Sequence, residues 1–144
     1  MRLTEMVALV ALLALLVLLV LFVAHRVQLL RGSGTQVVLR GLPAAPGRSW
    51  RHGVVQYRED ELVFLRISSL RPGPDRRIQR SSIEVLDRRP AEPSERDVVP
   101  VGATVIRFRD DAAESEIALA DGALTAFLSW IESSPPGRAQ RIRR

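Results

Sequence analysis

Four arginines within ten residues are the side chains of this chain best suited to binding chemistry. They lie on a predicted turn at Pro72-Gly73-Pro74 and on the strand that follows it. A guanidinium presents a planar fork of donors that matches phosphate oxygens, so the cluster predicts contact with an anionic partner. The alternative is a solvated charged edge that discourages aggregation between sheets. The predicted contact residues are Arg71, Arg76, Arg77 and Arg80.

A second basic group ends the chain. Near-surface arginines each add about 1 kcal/mol of attraction to anionic lipid, so this tail either pins the terminus to a membrane or serves as a solubilising end. Nucleic acid is not an expected partner, because no aromatic residues that could stack on bases interleave with the arginines. The tail arginines are Arg138, Arg141, Arg143 and Arg144.

No catalytic or metal-binding motif accompanies these arginines. His25 and His52 are the two histidines, and neither has carboxylates at metal-ligand spacing. The chain has no cysteine, which excludes disulfides and thiolate ligands. The remaining polar candidates lack a nucleophile paired with a base: Ser81, Ser82, Asp60 and Glu61. We therefore expect no enzymatic activity, no cofactor and no metal.

The element on which the rest depends is residues 6–24, MVALVALLALLVLLVLFVA, which carries no charge, amide or hydroxyl. At helical rise this run spans about 28 Å, close to the hydrocarbon thickness of a bilayer. A signal peptide has a shorter apolar region that ends in small residues, whereas a cut after Ala24 would place the bulky Phe22 three residues back. We predict an uncleaved transmembrane anchor, with a removed signal peptide as the alternative.

Charges beside this helix predict its orientation. Arg2 and Glu5 precede it, whereas His25, Arg26, Arg31 and Arg40 follow. Arginine in short flanks favours the cytoplasmic side of a membrane. The prediction is a single-pass protein of the plasma membrane with its C-terminal body in the cytoplasm.

Composition limits the rest of the chain to one small domain. After the anchor, the 144 residues leave room for a modest core but not for two. The net charge of +5 is carried entirely by arginine, since the sequence contains no lysine. This mild basic excess suits a surface lying against anionic lipid.

Residues 35–50 contain two glycines and two prolines and are predicted to form an irregular tether, although Val37-Val38-Leu39 could form a short strand. From Trp50 to Ile67 apolar residues alternate around Glu59-Asp60, which predicts a hairpin. One or two short strands are expected around Ile83 and Val85. Residues 88–97, RRPAEPSERD, are predicted to be a mobile polar loop.

The later chain predicts a second hairpin and a helix. Strands at residues 105–109 and 114–120 would place Arg107 and Arg109 opposite Glu114 and Glu116 on the solvated face. Asp121 is the expected N-cap of an amphipathic helix. Its apolar stripe has i, i+3, i+4, i+7 spacing and is widened by Trp130: Leu124, Phe127, Leu128 and Ile131.

These elements predict an N-terminal transmembrane helix followed by an α+β domain. The domain is expected to be a small antiparallel sheet or barrel whose apolar face is covered by the C-terminal helix. The predicted boundaries are an anchor at 1–31, a linker at 32–49, a β-rich domain at 50–134 and a basic tail at 135–144.

The order of strands, Pro-Gly corner, arginine-rich segment, hairpin and Trp-bearing helix resembles a pleckstrin-homology-like barrel. The whole chain also resembles an uncharacterised actinobacterial family of single-pass membrane proteins, a domain-of-unknown-function group. The segments that carry this resemblance are the anchor, 50–58 (WRHGVVQYR), 68–71 (SSLR), 74–77 (PDRR) and 123–132 (ALTAFLSWIE). The resemblance implies genes that commonly lie beside those of the rotary ATP synthase, and it assigns no functional residues.

The expected function is that of a membrane-anchored binding or adaptor protein. Its anchor would raise the effective concentration of the domain near an anionic lipid or a membrane protein complex. Two alternatives remain open: an assembly or structural factor of a membrane complex such as ATP synthase, and an exported soluble domain released by signal-peptide cleavage.

Overall fold

The computed structural model describes residues 2–31, 34–45, 47–111 and 113–133. It divides the chain into two compact units, the second of which begins at Gly34. The predicted basic tail at 135–144 lies outside the described residues.

The first unit is a single helix, α1 (Leu3–Arg31). Its apolar residues surround the whole helix, and the most apolar 18-residue window within Leu3–Gln28 has a mean hydropathy of 3.4 and no buried residue. By length and composition α1 can cross a membrane, a property that it shares with signal sequences near an N-terminus.

The second unit is a curled, half-barrel sheet of seven antiparallel strands followed by one helix. In space the strands follow the order β4-β3-β2-β1-β7-β6-β5. The strands and the helix are β1 (Thr35–Gly41), β2 (Arg51–Tyr57), β3 (Glu61–Arg66), β4 (Arg76–Gln79), β5 (Glu84–Pro90), β6 (Thr104–Arg109), β7 (Glu114–Leu119) and α2 (Asp121–Glu132). The predicted sheet capped by a C-terminal helix is therefore present.

The structure shows the short strand that the sequence left possible at Val37-Val38-Leu39, so the linker predicted for residues 32–49 is wrong over Thr35–Gly41. Thr35–Gly41 form the central strand β1, which pairs with β2 on one side and with β7 on the other. Four consecutive residues of this strand, Val37 to Arg40, are buried, so both faces of β1 are covered. A strand buried on both faces has no alternation of polar and apolar residues, and the period-two signal is absent for that reason.

The two predicted hairpins are confirmed. β2 pairs with β3 across the turn before Glu61, and β6 pairs with β7. Gly53 in β2 fits only because it lacks a side chain, since a Cβ atom there would lie 2.3 Å from the Phe64 ring and 2.6 Å from the Leu65 carbonyl oxygen.

The main core lies on the inner face of the sheet, where α2 covers it. Side chains from six strands meet Leu124 and Phe127 of the helix, and Phe127 is fully buried. The predicted apolar stripe of α2 is confirmed, with Leu128, Trp130 and Ile131 packed at its border. Asp121 is not the N-cap: Ala120 occupies that position, and no side chain caps the helix.

A smaller core lies on the opposite face of the sheet. Val38, Val105 and Ala118 project from the strands and pack against Trp50 and Val99. The segment that covers them is residues 91–103, which we call the covering loop. It contains a 3₁₀ turn at Pro93–Glu95 with the Glu95 side chain fully buried. The segment predicted as a polar loop at residues 88–97 is thus part strand and part folded turn. The turn is ordered because the Glu95 side chain is buried beneath it.

The half-barrel leaves two edge strands, β4 and β5, which are joined through a 3₁₀ turn at Arg80–Ser82. β5 is exposed along almost its whole length. Its register with β6 shifts between Val85 and Asp87, and the strand ends at Pro90.

Candidate functional site

The most distinctive polar feature of the domain is a cluster of four charged residues beneath the covering loop. It begins with two neighbours in register on the central strands, Arg40 of β1 and Glu116 of β7. Arg40 Nε donates a hydrogen bond of 2.7 Å to Glu116 Oε2. Both side chains are more than nine-tenths buried. The pair therefore lies inside the protein although it belongs to the outer face of the sheet.

Glu95 of the covering loop completes the cluster. Arg89 of β5 donates to both oxygens of the Glu95 carboxylate, at 2.8 and 2.9 Å, in the two-pronged geometry that makes guanidinium–carboxylate pairs strong. Arg40 Nη2 lies 3.0 Å from Glu95 Oε1, and Arg89 Nη2 lies 3.2 Å from Glu116 Oε2. We call Arg40, Arg89, Glu95 and Glu116 the ion cluster.

The ion cluster is electrically balanced. Two guanidiniums face two carboxylates, and each guanidinium contacts both carboxylates, so no charge is buried alone. The Arg40 guanidinium also lies 4.5 Å from the centre of the Trp50 ring, a cation–π contact. The backbone N–H of Glu92 donates to Glu95 Oε2 at 2.9 Å. These bonds fasten the covering loop to three strands of the sheet.

The sequence contained one signal for this cluster. Glu92 and Glu95 are three residues apart, and Pro93 occupies the first position of the turn. This spacing allows a capping box, in which each glutamate side chain accepts a hydrogen bond from the backbone N–H of the other, and the structure shows it. Arg40 carried no comparable signal, because its partner Glu116 is 76 residues away in the chain.

The ion cluster makes the domain sensitive to acid. The hydrogen bonds from Arg89 hold the pKa of Glu95 below its ordinary value of 4.5. A carboxylate with a depressed pKa stabilises the fold above its unfolded-state pKa, and this contribution is lost as the pH falls through the folded-state value. We expect the midpoint of thermal unfolding to fall below about pH 4.5 in the native protein. The difference in unfolding midpoint between the native protein and Glu95→Gln should shrink over the same pH range. A constant difference in midpoint from pH 7 to pH 3 would contradict a stabilising role for the ionised Glu95 carboxylate.

The predicted pairing across the second hairpin is confirmed for Glu114 and corrected for Glu116. Arg109 donates to Glu114 at 2.7 Å, and Arg107 Nε donates to the same carboxylate at 3.1 Å. These two arginines lower the pKa of Glu114, with Arg109 the larger influence. Glu116 instead belongs to the ion cluster, because Arg40 on the other side of β7 lies closer to it.

The structure does not gather the four predicted arginines on one surface. Arg76 is largely buried, and it donates to Asp110 at 2.6 Å and to Ser115 at 2.7 Å. This contact ties the edge strand β4 to the turn between β6 and β7. Arg80 is partly buried, with its guanidinium 5.5 Å from the centre of the Trp130 ring, and it contacts Asp60 at 3.3 Å.

The other two predicted arginines are exposed. Arg77 pairs with Glu61 at 3.1 Å and is about half exposed, with 54% of its side chain accessible. The Arg71 backbone N–H donates to Ser69 Oγ at 3.3 Å, and its side chain lies at the surface. Two of the four residues thus serve the fold, and the role of the four in binding an anionic partner stays a prediction.

A groove of about 510 Å³ lies beside the ion cluster, between the end of β5 and the covering loop. Its lining residues include Arg88, Arg89 and Arg96 together with Val99, Val101 and Ala103. Val99 and Ala103 are buried, whereas Val101 is completely exposed. The lining of the groove is therefore mixed in polarity, and Arg89 is already paired with Glu95 and Glu116.

Comparison with known proteins gives a family but no activity. A family model described as "Protein of unknown function (DUF2550)" matches residues 12–137. An uncharacterised protein of Mycobacterium tuberculosis (strain ATCC 25618 / H37Rv) is 44% identical over 123 residues, which cover 83% of this chain and 84% of the relative. An uncharacterised protein of Mycobacterium leprae (strain TN) is 42% identical over the same length and coverage. No solved structure matches the chain significantly.

Proposed function

Because the chain belongs to the DUF2550 family, whose description names no activity, we propose its role from its structure: a single-pass, membrane-anchored binding or adaptor protein without enzymatic activity. The observation that carries the proposal is α1. The most apolar 18-residue window of α1 has a mean hydropathy of 3.4 and no buried residue. Transfer of each large apolar side chain out of water is favourable by about 1.5–3 kcal/mol of free energy. Lipid is therefore the environment that suits this helix.

The second unit supports the binding role. A curled seven-stranded sheet closed by α2 is consistent with a pleckstrin-homology-like barrel, which we propose as its fold type. An anchored domain has a high effective concentration near a target in the same membrane. Weak contacts are then sufficient for binding. The proposed targets are anionic lipid or a protein complex in the same membrane, reached through exposed arginines.

We propose that the domain faces the cytoplasm. Arg40 no longer counts as a flanking charge, because it is buried in the ion cluster. His25, Arg26 and Arg31 remain on the C-terminal side of the apolar run, against Arg2 on the N-terminal side. Under the positive-inside rule this balance still favours a cytoplasmic domain.

The absence of cysteine from the sequence allows a direct test of anchoring and orientation. Ser81→Cys lies at an exposed position of the domain, and Thr4→Cys lies at the start of α1. We expect a membrane-impermeant maleimide to label Ser81→Cys only after cells are lysed and Thr4→Cys in intact cells. The reverse pattern would place the domain outside.

Two further measurements separate the alternatives. We expect the purified protein to keep its full mass of 16.0 kDa and to stay with membranes in alkaline carbonate. A freely soluble product that lacks residues 1–24 would contradict anchoring and favour an exported domain released by signal-peptide cleavage. Recovery of a stoichiometric protein from detergent extracts would favour an assembly factor, and ATP synthase subunits are the partners that the gene neighbourhood suggests.

A further inference from the structure

The groove beside the ion cluster reaches one of the cluster's four members. Arg89 lines the groove and has 21% of its side chain accessible, whereas the other three members are more than nine-tenths buried. Arg89 also pairs in register with Val105, which packs with Val99 and Ala103 in the smaller core. Residues directly opposite each other project on the same face of a sheet, so Arg89 and these apolar residues share the outer face. A ligand that enters the groove therefore meets the Arg89 guanidinium.

The covering loop carries a carboxylate that the two guanidiniums bind. Arg40, Arg89 and Glu116 belong to the strands β1, β5 and β7, whereas Glu95 lies in the 3₁₀ turn of the loop. Without Glu95 the sheet would present two guanidiniums and one carboxylate, a net charge of +1. Glu95 thus occupies an arginine pair of the sheet as a ligand that is carried on a loop.

This internal ligand leaves one donor of the pair unused. Arg89 donates to both oxygens of Glu95, at 2.8 and 2.9 Å. Arg40 approaches the same carboxylate through Nη2, which lies 3.0 Å from Oε1. Arg40 Nη1 is buried, and no group in the described part of the chain accepts a hydrogen bond from it. A buried donor without an acceptor costs free energy, so a carboxylate free of the loop can bind this pair more completely than Glu95 does.

We propose that Arg40 and Arg89 form a carboxylate-binding site, which Glu95 fills in the closed state and from which a carboxylate of another molecule displaces it. The ligand enters along the groove, and the covering loop opens as Glu95 leaves. The carboxylate belongs either to an acidic segment of a protein partner or to a small organic acid. The inference goes beyond the proposed function, because it does not depend on membrane anchoring and uses arginines of the ion cluster rather than exposed ones.

The first test replaces the Glu95 carboxylate with a free one. Glu95→Ala removes a methylene and a carboxylate, the groups that make up acetate. The readout is hydrogen exchange of residues 91–103 in the detergent-solubilised full chain, because the N–H groups of Val98 and Val99 bond to the Glu95 carbonyl oxygen. We expect faster exchange than in the native chain. Acetate at about ten times its dissociation constant should slow this exchange by about tenfold, and chloride at equal ionic strength should not.

The matched control is Phe127→Ala, which is expected to lose a similar amount of stability in the main core. We expect acetate and chloride to have the same effect on its exchange over residues 91–103. Equal slowing by acetate in both variants would mean a general salt effect and would overturn the site. Exchange that acetate leaves unchanged in Glu95→Ala, while β2 and β3 exchange as slowly as in the native chain, would overturn it too.

The native chain provides a test that does not depend on the folding of a variant. Two peptides with capped termini, Ala-Glu-Ala-Glu-Ala and Ala-Gln-Ala-Gln-Ala, are compared with acetate. Displacement of Glu95 releases the covering loop, so we expect the glutamate peptide or acetate to quicken exchange over residues 91–103 several-fold, with β2 and β3 unchanged.

The source of the carboxylate follows from which ligand acts. A response to the glutamate peptide alone assigns the site to a protein partner, and a response to acetate assigns it to small acids. Exchange that neither ligand changes would overturn displacement and leave Glu95 as a permanent part of the fold. Because every measurement is made in detergent, none of these outcomes bears on the membrane anchoring.

Discussion

Replacing Glu95 with alanine is expected to lower the free energy of unfolding of the sheet domain by about 3–5 kcal/mol. The carboxylate is fully buried and accepts hydrogen bonds from Arg89 and the backbone of Glu92. Its removal leaves Arg40 and Arg89 with one carboxylate between them and detaches the covering loop. Chemical denaturation of the detergent-solubilised full chain, followed by the tryptophan fluorescence to which Trp50 and Trp130 both contribute, measures the change.

Glu84→Gln is the matched control for this variant. Glu84 is also a carboxylate paired with an arginine, but it lies on β5, is 65% exposed and lies 3.4 Å from Arg109. Exposed pairs contribute about 0–1 kcal/mol, so this variant should resemble the native protein. If Glu95→Ala and Glu84→Gln have equal stability, the ion cluster does not hold the loop.

Phe127→Ala should cost a similar amount, about 3–5 kcal/mol, by a different mechanism. The ring is fully buried in the main core, where α2 covers the inner face of the half-barrel. Truncation removes apolar contacts and leaves a cavity at the centre of the helix–sheet interface. Urea unfolding followed by fluorescence of Trp130, which lies on the same helix, reports the loss directly.

The control for Phe127→Ala is Ser129→Ala, an exposed substitution on the opposite side of the same helix. It should change stability by less than about 0.5 kcal/mol. A native-like midpoint for Phe127→Ala would mean that α2 is dispensable to the sheet. That result would contradict the packing of α2 on the inner face of the sheet.

The elements that were predictable from sequence are those with a clear local signal. The hairpin of β2 and β3 was predictable because two apolar runs flank a short acidic turn, although Leu62 to Leu65 are buried on both faces, and α2 shows its stripe because one side of the helix is solvated. The sequence left β1 open as either a short strand or part of a tether, since Val37 and Leu39 face the main core while Val38 faces the smaller one and no alternation marks the strand. The prolines and glycines that follow it then resembled a tether.

The ion cluster was missed for a related reason. Arg89 and Glu95 lie in a polar segment whose composition is that of a loop, and Arg40 lay in the presumed tether. Their pairing depends on strands that are adjacent in space but far apart in the chain. Likewise, nothing in the spacing of Arg71, Arg76, Arg77 and Arg80 revealed that Arg76 would bridge to Asp110 and Arg80 would lie over Trp130.

The edge strand β5 of the half-barrel is protected against pairing with other chains. An unpaired strand can recruit the backbone of a neighbouring molecule and seed ordered fibres. In β5 the register shift between Val85 and Asp87 interrupts the regular ladder, and Pro90 lacks the donor that an incoming chain would need. Pairing of another chain along this edge is thus disfavoured, and a regular β5 without Pro90 would lose that protection.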